Sequence, residues 1–176
     1  MSSCAWPNNP LWRQPLRQGL TLMEVVVSTL IVGVMTVAAL NGLGAATRSG
    51  QLAGNRGIAH GLADDLMNEI LNTAYAEPSG AVGIGLDTGE TAPRTNFDDV
   101  DDFHNWNQKP PQAADGTTIP NRAAFRQRVT VEKVVPTDPA QVVAGADQGA
   151  KRICVMIECN DVELARRVAV VTDFDD

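Results

Sequence analysis

Residues 17–48 read RQGLTLMEVVVSTLIVGVMTVAALNGLGAATR, and this stretch decides the fold. From Val25 to Thr47 there are 23 residues without a formal charge. As a helix rising about 1.5 Å per residue they would extend about 34 Å, enough to cross a bilayer core of about 30 Å. Glu24 stands at the lip of that span, where an ionised carboxylate is costly unless it meets a partner. An ordinary secretory signal has a shorter apolar region, followed by a small-residue cleavage site. Here the apolar region is longer, and a Gly-Leu-Thr lead-in precedes it.

Gly19-Leu20-Thr21-Leu22-Met23-Glu24-Val25-Val26 resembles the cleavage and methylation motif of type IV prepilins and type II secretion pseudopilins. The resemblance implies that a prepilin peptidase cuts after Gly19, that Leu20 is N-methylated, and that Glu24 serves filament assembly. The first mature residue in that family is commonly phenylalanine, so Leu20 is a departure. The match covers about 30 of the 176 residues. It implies a pilin-like α+β fold: a long N-terminal helix, membrane-spanning in its first half, packed against a small antiparallel sheet of three or more strands. The expected divisions are a leader at 1–19, a membrane or filament-core helix at 20–47, an amphipathic helix at 48–76, a variable loop region at 77–124, and the sheet at 125–176.

The amphipathic half shows in the residues themselves. Apolar pairs recur at Ile58-Ala59, Leu62-Ala63, Leu66-Met67, Ile70-Leu71 and Ala74-Tyr75, with polar pairs between them. A four-residue step turns about 400°, so this stripe drifts slowly round the helix and suits a head wrapped obliquely over it. The pattern predicts a helix reaching Tyr75, stopped by Pro78-Ser79-Gly80. Between the two halves of the helix lie Gly42, Gly44, Gly50, Gly54, Gly57 and Gly61. Two readings stand for them: close approach between helices in a filament, or a joint near the membrane surface.

Residues 76–123 are rich in Gly, Pro and Asp and predict loop with one or two short strands. Beyond them Phe125, Val129, Val131 and Val135 alternate with Arg126, Arg128, Thr130 and Glu132. Ile153, Val155 and Ile157 mark a second strand, and Leu164, Val168 and Val170 a third, joined to the second through Asn160-Asp161. A wide loop is expected between the first two, over residues 136–150.

Formal charge is −7. Removing Arg13 and Arg17 with the leader gives −7 − 2 = −9, which disfavours nucleic-acid binding by counterion release. The implied partners are a prepilin peptidase, other pilins or pseudopilins, and an inner-membrane assembly platform. The implied location is the inner membrane, single-pass, N-terminus cytoplasmic and head periplasmic. Cys4 would leave with the leader. Cys154 and Cys159, five apart, would face opposite sides of one strand about 17 Å apart, too far for a disulfide.

Asp98, Asp99, Asp101 and Asp102 place four carboxylates within five residues, flanked by Phe97, Phe103, His104 and Trp106. Three readings stand: hard oxygen ligands for Ca²⁺, an acidic contact surface, or a solvated turn anchored by the aromatics. The run lacks the spacing of an EF-hand. No cofactor is otherwise expected, and no Ser/His/Asp set, zinc-ligand cluster or phosphate loop points to an enzyme. The whole reads as a filament subunit, either an I-type minor pseudopilin or a PilV-like minor pilin. The alternatives are a membrane-anchored binding module that does not polymerise, and a pilus subunit for adhesion or DNA uptake.

Overall fold

A computed structural model describes residues 19–76, 83–86 and 94–173. Residues 1–18, with Cys4, Arg13 and Arg17, lie outside that set, as do Pro78, Ser79 and Gly80. The chain divides after Thr47 into two compact units.

Helix α1 spans Leu22–Ile70 without interruption. In the first unit every described residue is exposed. Three threonine hydroxyls there are satisfied within the helix: Thr29 donates to the carbonyls of Val25 and Val26, Thr36 to that of Val32 and Thr47 to that of Leu43, at 2.8–2.9 Å. With no hydroxyl of these threonines left unmet, the segment is suited to an apolar solvent. α1 is long and apolar enough to span a membrane.

In the second unit α1 buries Ala59, Leu62, Ala63, Leu66, Met67 and Ile70, the stripe the paired spacing predicts. The helix ends at Ile70, however, short of Tyr75. Asn72 Nδ2 donates to the Asn68 carbonyl at 2.6 Å and Thr73 Oγ1 to that of Ile70 at 2.7 Å. The Asn72 and Thr73 amides tighten to i−3 bonds on Glu69 and Ile70. Asn and Thr thus satisfy the helix's last carbonyls and release the chain. Ala74 then forms a parallel bridge with Asp99.

Five antiparallel strands form one sheet: β1 (Asn107–Gln108), β2 (Phe125–Val135), β3 (Asp138–Val142), β4 (Ala150–Cys159) and β5 (Val162–Thr172). Their order is β1-β2-β4-β5, with β3 pairing the far end of β2, so β5 closes one side of the sheet. The architecture is α+β, a long helix packed on an antiparallel sheet, and the layout is pilin-like. β3 occupies part of the stretch expected to be loop. Asn160 and Asp161 make the β4–β5 turn at φ of 51° and 62°, which their short polar side chains tolerate.

Register shifts alter two strands. On β2 Val134 is buried and the expected Val135 only half-buried, and the pairing with β3 shifts between the two. Opposite Ile157/Glu158 a second shift leaves Ala165, Ala169 and Val171 on the inner side of β5, while Val168 (57 % exposed) and Val170 face solvent. Small inward residues let β5 lie close to α1, where Arg167 Nε meets Asp64 Oδ1 at 2.5 Å. The core joins the α1 stripe to Phe125, Val129, Val131, Ile153, Val155 and Ile157, with Val100 and Phe103 from the connecting segment. Cys154 and Cys159 both lie on β4 and are free thiols.

Candidate functional site

Gly19, Leu20 and Thr21 precede α1 in non-helical conformation, and Leu20 is 72 % exposed. The helix begins at Leu22, and Thr21 explains why. Its Oγ1 accepts the Glu24 amide at 3.2 Å, and its carbonyl accepts the Val25 amide at 3.2 Å. Thr21 is therefore the N-cap and Glu24 the third helical residue, the spacing of a capping box. Only half of the box is closed. Among the described residues the Glu24 carboxylate, exposed in the first turn, has no hydrogen bond or ion pair. The motif's Thr21 has thus a local task that the Thr-x-x-Glu spacing alone could have revealed.

The acidic run is largely buried. Asp99, Asp101 and Asp102 are buried, and only Asp98 is exposed. Asp102 Oδ2 accepts the amides of Asp98 and Asp99 at 3.0 and 3.5 Å, and Asp99 Oδ1 accepts that of Asp102 at 3.0 Å. Asp101 Oδ2 meets Lys151 Nζ at 2.8 Å. Three carboxylates thus turn to backbone amides and a lysine instead of to one point. No group of three or more His, Cys, Asp or Glu among the described residues is arranged to hold a metal. Burial also leaves neither a solvated turn nor a broad acidic surface. The aromatic anchoring holds: Phe97 packs edge-on against Phe103 and Trp106 at 5.1 and 5.6 Å between centroids. Burial pushes the Asp99 carboxyl above the usual range, its bonds to the Asp102 amide opposing. Asp101 is pushed up likewise, with Lys151 opposing.

Lys151 itself is 1 % exposed. Its ammonium also donates to the Tyr75 carbonyl at 2.5 Å and lies 4.3 Å from the centre of the Tyr75 ring. Burial, together with the bond that the Tyr75 hydroxyl donates to the Asp147 carboxylate, moves the tyrosine's ionisation well above its ordinary range. A second buried cation, Arg94, grips Glu69 of α1 through Nε and Nη2 at 2.8 and 3.0 Å, and Nη2 also donates to the Gln112 carbonyl. Gln127, inward on β2, accepts from the Gln112 amide at 2.9 Å. Lys151, Gln127 and Arg167 are thus polar inner-face residues of the sheet, each within a network that reaches α1 or the segment just after it. These networks fasten the helix to the sheet. His104 Nδ1 accepts the Val131 amide at 3.2 Å, covering the edge of β2.

The structure therefore brings Gly19, Leu20 and Glu24 together with Thr21 at one helix terminus, and places the acidic run in the packing of the head. No protein-family model, curated protein or solved structure matches the chain.

Proposed function

We propose that this chain is a structural subunit of a type II secretion pseudopilus or type IV pilus-like filament. It is inserted in the inner membrane, cut after Gly19 by a prepilin peptidase, methylated on Leu20, and assembled through α1. The observation that carries the reading is the uncommitted Glu24 carboxylate at the start of a 49-residue helix whose first half is exposed and apolar. Such a carboxylate needs a cation in apolar surroundings, and the cut would create one: the Leu20 amine of a neighbouring copy. Each charge alone is costly away from water, and the pair much less so. The pairing also sets axial register, because a misplaced subunit leaves both charges unmatched. The head stays periplasmic, held to the helix by the Arg94, Lys151 and Arg167 networks.

The test is made in cells carrying a pilus or pseudopilus assembly system. Mass spectrometry of the membrane-extracted protein should show a chain beginning at N-methylated Leu20. Glu24→Gln should be processed normally yet incorporated into filaments at least about tenfold less, the equivalent of about 1.4 kcal/mol. Incorporation at wild-type level would remove the assembly role of Glu24. An uncut chain would favour a membrane-anchored module that does not polymerise.

A further inference from the structure

We infer that Thr21 positions the scissile bond: its hydroxyl fixes where α1 begins and so keeps the Gly19–Leu20 peptide out of the helix and open to hydrolysis. The inference rests on the processing step proposed above.

The acceptor of the Glu24 amide decides where α1 starts. Were α1 to grow upstream by two residues, the Leu20 carbonyl would accept that amide and the Gly19 carbonyl would accept the Met23 amide, the ordinary i−4 pattern. The Gly19 carbonyl is the one a hydrolytic water must attack. Thr21 Oγ1 already holds the Glu24 N–H at 3.2 Å, and the first backbone bond is that of the Val25 amide to the Thr21 carbonyl. The hydroxyl thus competes directly with upstream helix growth. Leu20, exposed and non-helical, shows the result.

The cap lies on the mature side of the cut. Hydrolysis adds water across the Gly19–Leu20 bond, leaving a Gly19 carboxylate and a Leu20 amine. Thr21 stays with α1. The helix therefore starts at the same residue before and after processing, and Glu24 keeps its place in the first turn for assembly. One side chain serves both steps.

Full-length chain in membranes, with a purified prepilin peptidase, supplies the test. Processing is followed by mass for wild type, Thr21→Val, Thr21→Ser and Thr21→Asn. Valine keeps the shape and loses the acceptor, while serine and asparagine remain good caps. The valine variant should be cut about fivefold more slowly, matching the usual worth of a cap, with serine and asparagine near wild type. Amide exchange in detergent should show slower exchange at Met23, whose N–H the Gly19 carbonyl would then accept, in the valine variant only. Equal cutting of wild type and valine variant overturns the inference. Rescue by serine but not asparagine overturns it too, since the peptidase would then be reading the hydroxyl itself. A wild-type chain left uncut at Gly19 refutes the processing reading, whereas the exchange data still report whether Thr21 caps α1.

Discussion

Asp99 shows how burial reverses the ordinary behaviour of an aspartate. It is 2 % exposed, and desolvation raises its carboxyl above the usual value. A raised value means that the folded state holds the proton to higher pH than the unfolded chain. Protonation therefore favours the fold: the contribution is present below the unfolded value and is lost as pH rises through the folded one. Asp99→Asn keeps an acceptor for the Asp102 amide but cannot ionise. The variant should gain on wild type as pH is raised from about 3.5 to 7 across the ordinary carboxylate range. Urea unfolding of the detergent-solubilised chain would measure this, and a pH-independent difference between the two proteins would contradict it. This segment was hard to read from sequence because four aspartates in five residues look solvated. Their burial depends on partners far along the chain: Lys151 lies fifty residues from Asp101. No local pattern announces such a pair.

Element by element, legibility tracks period. The α1 stripe and strands β2 and β4 were plain, because spacing alone selects the buried face, whereas β5 was legible as a strand but its valines Val168 and Val170 lie on the exposed face. The end of α1, the two register shifts and β3 were not plain. Each rests on a side-chain cap or on strand pairing that periodicity does not encode. Thr21 was visible as part of a motif; its capping role, which the Thr-x-x-Glu spacing also carries, shows in its bond to the Glu24 amide. The glycines of α1 pose a question at this scale. A methyl group added at Gly54 or Gly57 would meet nothing within 4 Å, so the chain's own packing does not require them. Gly54→Ala with Gly57→Ala should stiffen the helix by up to about 1 kcal/mol per site. Thermal melts by circular dichroism should show a chain at least as stable, while incorporation into filaments falls severalfold. Undiminished incorporation would deny these glycines any part in assembly.

The whole molecule joins an exposed apolar helical unit to a head unit with its own core. Residues 48–176 contain the buried helix stripe, all five strands and the three polar networks. A fragment beginning at Arg48 should therefore fold in water without detergent and unfold cooperatively in urea, read by fluorescence of Trp106, its one tryptophan. Aggregation or a broad, non-cooperative transition would mean that the head depends on the apolar half of α1. The pilin-like layout was legible from the first fifty residues and the strand periods. The head's internal wiring was not, since it joins α1, the 94–106 segment and β4 across long separations.

The side of the sheet closed by β5 carries a hazard that its sequence answers. Eleven residues with Val162, Val168 and Val170 exposed would template runaway cross-β stacking wherever many heads crowd together, as along a fibre. Arg166 and Arg167 interrupt that stretch, the first tied to Glu163 and the second to Asp64. They act as gatekeepers, placing desolvation-averse charge in the middle of an otherwise sticky strand. In the proposed filament, order would then be dictated by the helices, with the heads kept as polite neighbours.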